Sequence, residues 1–160
     1  MVEPSYGPCR FLVDRYPGLH EHYRSRGRAT RAKRFFYPMS ADDSTLDRFR
    51  RLCLDLPETV ETGSWGHPNF RAGKRTFAAF EWITDRPCVA VRLGADEIES
   101  LLLQHKDFFA TPYGRGRWVS AWADVSIDWA LWAALLERAY RQVALQRMIN
   151  ALDDARRNAE

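Results

Sequence analysis

Asn69-Phe70-Arg71-Ala72-Gly73-Lys74-Arg75-Thr76-Phe77-Ala78-Ala79-Phe80-Glu81-Trp82-Ile83 decides the fold class of this chain. Aromatic and small apolar residues fill both arms, which suits a pleated, half-buried surface. Between the arms Ala72-Gly73 supplies a turn, because glycine accepts backbone angles that other residues resist. The stretch therefore reads as an antiparallel hairpin with Arg71, Lys74 and Arg75 clustered around its tip. Outward from it, Val60 to Trp65 reads as a preceding strand, broken by Gly66-His67-Pro68. Thr84-Asp85-Arg86-Pro87 reads as a second turn, followed by the strand Cys88-Val89-Ala90-Val91-Arg92-Leu93.

Helices bracket these strands. Leu46, Phe49, Leu52, Cys53 and Leu56 recur at 3-to-4 spacing, with Arg48, Arg50, Arg51 and Asp55 between them, and Pro57 closes the run. After Gly94, a middle helix carries Asp96, Glu97 and Glu99 near its start, where the helix dipole favours anions, and ends near His105. Phe108 to Thr111 and Trp118 to Val125 flank a second Gly-containing basic loop, Pro112-Tyr113-Gly114-Arg115-Gly116-Arg117. Alternation places Trp118, Ser120 and Trp122 on one face of that strand and Val119 on the other. Ser126 or Asp128 caps a long last helix whose stripe is Trp129, Trp132, Leu135, Leu136, Ala139, Tyr140 and Val143. Past Gln146 the chain stays helix-like but loses most apolar weight, and this segment is expected to fray or project. The expected order is α-β-β-β-α-β-β-α: an α+β domain in which helices pack on an antiparallel sheet of about five strands.

At 160 residues the chain suits one domain with a substantial core, and its 46% hydrophobic content fits a globular protein. The expected organisation is a flexible basic leader at 1–38, a domain at 39–148 and a polar tail at 149–160. Within the leader, Arg24-Ser25-Arg26-Gly27-Arg28-Ala29-Thr30-Arg31-Ala32-Lys33-Arg34 holds six cations and no anion. Such a block is either a solvated arm that lies along phosphates or an over-extended start, with Met39 the true beginning. Residues 1–39 hold 8 Lys and Arg against 3 Asp and Glu (+5), and residues 40–160 hold 16 against 18 (−2). The basic isoelectric point thus resides in the leader, and only local patches argue for an anionic partner.

Cys9, Cys53 and Cys88 are odd in number and widely spaced, so neither a disulfide framework nor a zinc site is indicated, and a cytoplasmic protein with reduced thiols follows. No apolar run reaches the roughly 20 residues that span a bilayer, so no membrane partner is expected. His67, between glycine and proline, reads as a turn-stabilising residue, and His20-Glu21-His22 lacks the spacing of a helical metal site. Gly114-Arg115-Gly116 is too short for a dinucleotide fingerprint, and no nucleophile elbow or phosphate loop occurs. No catalytic residues, metal or cofactor are expected.

The remaining chemistry is basic. Arg71, Lys74 and Arg75 on one tip, and Arg115 and Arg117 on the other, present cations beside glycines, a composition suited to phosphates and equally to a solvated turn. Trp118 stands at the edge of the second group. Trp65, Phe70, Trp82, Trp118 and Trp122 would serve either as sheet core or as platforms for unpaired bases.

The sequence also resembles the MmcQ/YjbR family of small bacterial proteins. The residues that carry this are Leu56-Pro57-Glu58-Thr59-Val60-Glu61, Trp65-Gly66-His67-Pro68-Asn69-Phe70-Arg71, Phe77-Ala78, Trp118-Val119 and Leu135 to Ala144. The resemblance spans about residues 43–145 and none of the leader. It implies a YjbR-like α+β fold, described as a double-wing DNA-binding motif, whose wings fall here on Arg71–Arg75 and Tyr113–Trp118. The functional expectation is a non-enzymatic protein that contacts DNA phosphates through Arg71, Lys74, Arg75, Arg115, Arg117 and Trp118. The alternative is a protein-interaction or chaperone-like module.

Overall fold

In a computed structural model that describes residues 42–64 and 66–159, the deciding stretch folds as strands β2 (His67–Ala72) and β3 (Arg75–Ile83). Ahead of them lie helix α1 (Asp42–Leu54) and strand β1 (Thr59–Ser64), and after them strand β4 (Arg86–Arg92). Helix α2 (Ala95–Gln104), strand β5 (Phe108–Ala110), strand β6 (Trp118–Trp122), helix α3 (Trp129–Val143) and helix α4 (Gln146–Arg157) complete the described chain. Six strands form one sheet in the order β1-β2-β3-β4-β6-β5, every neighbouring pair antiparallel. The fold is α+β, as expected, and six strands lie close to the expected five.

One face of the sheet is apolar and covered by helices. Phe49 of α1 is the hub: its ring meets Phe70 at 5.7 Å, Trp132 at 6.0 Å and Phe80 at 6.3 Å, all edge-on. Trp132 in turn stacks on Phe108 at 5.5 Å, so α1, α3 and the far edge strand share one aromatic contact network. Each such ring, once buried, contributes on the order of 1.5–3 kcal/mol from the apolar area it removes from water. Between Phe70 and Arg71 the β2–β3 register shifts, with Phe70 opposite Ala78 but Arg71 opposite Thr76. The extra residue is Phe77, and the bulge turns Phe77 and Ala78 both toward the core, where each is fully buried. Phe77 then packs edge-on against Tyr140 of α3 at 5.7 Å.

The last helix departs from expectation. Asp128 is its cap, accepting from the Ala130 and Leu131 amides at 3.1 Å. However, the helix stops at Val143, Ala144 and Leu145 are extended, and a new helix begins at Gln146. This second helix neither frays nor projects: Met148 and Leu152 are buried in the core, and Asp153 receives Arg141 at 2.5 Å. Leu145, Met148, Ile149 and Leu152 form a short apolar stripe at 3-to-4 spacing, enough to dock one helical turn after another. Among the described residues, no helix is long and apolar enough to cross a membrane.

Tyr140 ties α3 to the start of the sheet, because its hydroxyl donates to the Pro57 carbonyl at 2.8 Å. Burial, helped by the nearby Glu58 carboxylate, pushes its phenol up to about 12. A phenol raised in the folded state stabilises it fully below the unfolded value near 10, and that contribution disappears as pH rises toward 12. Tyr140→Phe is expected to cost about 1 kcal/mol at neutral pH in urea unfolding. Above pH 10 the gap should narrow by up to about 1.4 kcal/mol per pH unit, since only the wild type loses this group's contribution. A gap that stays constant from pH 8 to 11 contradicts this role of Tyr140.

Candidate nucleic-acid interface

The two basic turns reach the same end of the sheet because of strand order. Chain direction reverses at Gly73-Lys74, again at Thr84-Asp85, and β4 then returns to the first end at Arg92. Strand β6 runs antiparallel to β4 with Trp118 opposite Arg92, so the loop before Trp118 also lies at that end. The Leu93 amide donates to the Arg117 carbonyl at 3.1 Å and fixes the junction. From the middle of the β2–β3 turn to the middle of the β5–β6 loop is three strand spacings, about 14 Å.

The first turn is tight. Ala72 pairs with Arg75, leaving Gly73 and Lys74 as its only unpaired residues. Gly73 has φ of 62°, and a Cβ there would meet the Leu145 side chain at 3.5 Å, so the turn rests on the α3–α4 corner. The Arg71 guanidinium donates to the Lys74 carbonyl through one nitrogen, and its Nε is buried with no hydrogen-bond partner. Lys74 and Arg75 are exposed.

The second loop is built on left-handed backbone. Gly114, Arg115 and Gly116 have φ of 77°, 54° and 73° in succession. Two are glycines, for which this costs little; Arg115 carries a Cβ into the same region at a cost of about 1–2 kcal/mol. Gly114 is required for a second reason: a Cβ there would stand 2.2 Å from Cδ1 of the Trp118 indole. Arg115 and Arg117 are exposed, and Trp118 is half-buried.

The sheet face opposite the helices joins these turns. Cross-strand pairing sets Arg71 opposite Thr76 and Arg92 opposite Trp118 on that face, both pairs at the turn end. Behind them runs a row, Asn69, Ala79, Ala90 and Ser120. Tyr113 donates its hydroxyl to Glu81 of β3 while its ring stays 6.1 Å from that of Trp118 on β6. Its side chain therefore crosses β4, where Ala90 leaves room for it, and Ala79, Ala90 and Ser120 are all buried. Thr111 and Ser120 share a buried hydrogen bond of 2.7 Å that pins the other end of the loop.

Ion pairing separates these cations from most of the other arginines; Arg48, which lies over the Trp129 ring, and Arg51, which donates to the Asp47 carbonyl, are the exceptions. Arg50 meets Glu61 at 2.7 Å, Arg86 meets Asp124 at 2.8 Å, and Arg138 meets Glu97 at 3.0 Å. Arg141, Arg147, Arg156 and Arg157 each reach a carboxylate as well. Among the described residues, Arg71, Lys74, Arg75, Arg115 and Arg117 make no such pair, and neither does Arg92. Sequence reading singled out the first five but not Arg92, which looked like the end of an apolar strand. The signal was present in the alternation of Cys88, Ala90 and Arg92, which share a face.

The aromatic residues divide. Phe70 is core. Trp82 lies against Phe80 at 5.1 Å and stacks on the His67 ring at 5.6 Å. Trp122 is held between Phe109 at 4.6 Å and the Arg86 guanidinium at 4.2 Å. Trp118 is left as the indole beside the cations. Trp65, Cys9 and the His20-Glu21-His22 segment lie outside the described residues. His67 is buried and lies within strand β2, where its backbone carbonyl, not its imidazole, accepts from the Asn69 side chain at 3.0 Å. Burial pushes the Cys53 and Cys88 thiols well up, so neither is a thiolate at neutral pH. No group of three or more His, Cys, Asp or Glu among the described residues gathers closely enough to hold a metal ion.

Comparison with known proteins adds the following. The YjbR family model matches residues 54–142. A crystal structure of a Deinococcus radiodurans protein with a DUF419 domain superposes with a TM-score of 0.52 at 23% identity, covering 59% of this chain and 75% of that one. A Pseudomonas syringae protein solved by structural genomics gives a TM-score of 0.49 at 11% identity, covering 66% of this chain and 99% of that one. The first likeness shows the fold alone. No curated protein matches the chain.

The two loop glycines offer a controlled test of this geometry. Gly116→Ala meets nothing within 4 Å but holds φ of 73°, so it should cost about 1 kcal/mol of stability. Gly114→Ala adds a collision with Trp118, so it should cost about 1–3 kcal/mol more in the same denaturation experiment. Equal costs at the two positions contradict the placement of the indole.

Proposed function

The chain belongs to the YjbR family, and from that premise we propose that it is a non-enzymatic, cytoplasmic DNA-binding protein that grips backbone phosphates with the cations of its two turns. The observation that carries this reading is the group of cations without carboxylates at one end of the sheet, with Arg71 and Arg92 on the face opposite the helices, while seven of the nine other described arginines are paired with carboxylates. Like charges held close repel one another, and a polyanion relieves that repulsion while releasing its own counterions. Arg71, Lys74 and Arg75 take one stretch of backbone, and Arg115 and Arg117 take another about 14 Å away. Arg92 lies between them, and Trp118 borders the site.

The charge balance of −2 over residues 40–160 makes the attraction local. Affinity is accordingly modest and strongly dependent on salt. The contacts proposed are to phosphates, which position a strand without reading its bases, so discrimination among sequences is weak.

The test uses the full chain with Arg24, Arg26, Arg28, Arg31, Lys33 and Arg34 replaced by glutamine, so that leader charges do not supply the signal. Fluorescence anisotropy of a labelled DNA oligonucleotide across a salt series should give a log-log slope of about −4 for five or six phosphate contacts. Adding Lys74→Gln, Arg75→Gln, Arg115→Gly and Arg117→Gln should weaken that slope by about 3, because each lost cation removes about 0.7–0.9. The melting temperature should hold or rise, since Arg115→Gly relieves left-handed backbone strain. An unchanged slope in the charge-removed variant contradicts the proposal.

A further inference from the structure

We propose that the DNA taken by this site is an unpaired strand, laid flat across Arg71, Thr76, Arg92 and Trp118 with one base stacked on the Trp118 indole. This rests on the phosphate-binding reading above and specifies its ligand.

The argument begins with how little the turns protrude. Only Gly73 and Lys74 extend beyond the last cross-strand pair of β2 and β3, and the turn leans on Leu145. The other loop is folded back: the Thr111 amide bonds the Trp118 carbonyl at 3.3 Å, Arg117 is tied to Leu93, and Tyr113 is tied to Glu81. A duplex major groove is about 8.5 Å deep, and reading or spanning it requires an element that stands clear of the body. Neither turn does. A single strand has no such requirement, because its phosphates and bases can both lie against a sheet surface.

The sheet face itself supplies what an unpaired strand needs. Arg92 and Trp118 are direct cross-strand partners on the face opposite the helices, which puts a cation beside an indole at about 5 Å between Cα atoms. Arg71 stands two strands beyond Arg92 on the same face, about 10 Å across the sheet, so successive phosphates on the β2 side of the stacked base each find a guanidinium. The guanidinium of Arg71 retains a buried Nε–H with no acceptor, a donor already desolvated. The other tryptophan of β6 is engaged on both faces by Phe109 and Arg86, which leaves Trp118 as the stacking position. Stacking of this kind tolerates any base, in keeping with a site whose other proposed contacts are to phosphates.

The experiment compares one labelled DNA sequence as a single strand and as its duplex, titrated with the leader-neutralised full chain at fixed salt. The single strand should bind roughly tenfold more tightly. Trp118→Ala should lose roughly tenfold on the single strand, the loss of one stacked base, and change little on the duplex. Trp118→Phe, which keeps a ring, should recover most of that loss, and Arg92→Gln should lower the salt slope on the single strand by about 0.7. Equal affinity for the two forms, or an equal loss on both from Trp118→Ala, overturns the single-strand inference while the phosphate reading stands. Absence of salt-dependent binding to either form overturns both.

Discussion

The antiparallel pairing of β6 with β4, with Trp118 opposite Arg92, is the constraint on which the candidate site depends. Had β5 taken the inner position instead, antiparallel to β4, its short run Phe108–Ala110 would border β4 and the Gly-rich loop would lie at the opposite end of the sheet from the first turn. The inner placement of β6 follows from side chains. Val119 and Ala121 add to the helix-covered core beside Val89 and Val91, while Ser120 on the other face accepts the close approach of Thr111. The longer, more apolar strand is buried between neighbours, and the three-residue strand takes the edge, where its shortness leaves few backbone groups unpaired.

The helix-covered core and the candidate site lie on opposite faces of the same sheet, and the outer face adds a second buried cluster of Ile83, Cys88 and Phe109 beside Trp122. The core face is a network of rings around Phe49, closed by Tyr140 at the β1 side and by Met148 and Leu152 of the returning helix. The bulge at Phe70–Arg71 serves both faces. It directs Phe77 and Ala78 inward together, and by shifting register it sets Arg71 opposite Thr76 on the outer face. At the turn end of the outer face Arg71, Thr76, Arg92 and Trp118 are only half-buried, so charges there can change without loss of the fold. That separation is what makes the site open to mutational dissection.

Much of this was legible in the sequence. Both glycine-centred turns, the amphipathic first helix, the stripe of α3 and the shared face of Trp118, Ser120 and Trp122 all followed from spacing and alternation. Alternation gives the face of a residue, but not which strand lies beside it. For that reason Arg92 was invisible as a neighbour of Trp118: their proximity comes from a pairing made 26 residues apart in sequence. The same limit applied to Trp122, whose sandwich between Phe109 and Arg86 draws on three separate segments. The break at Ala144–Leu145 carried no glycine or proline to announce it, and only the packing of Met148 and Leu152 shows why a second helix forms.

The central claim is that the two turns form one site for one polyanion. The most direct measurement is an amide and indole N–H chemical-shift titration of the protein with a short DNA oligonucleotide. The account predicts that Gly73, Lys74 and Arg75 shift together with Gly114, Arg115, Gly116 and the Trp118 indole, along a single binding curve, while amides of α3 and α4 stay in place. Shifts confined to one turn, or to the helix-covered side of the sheet, contradict it.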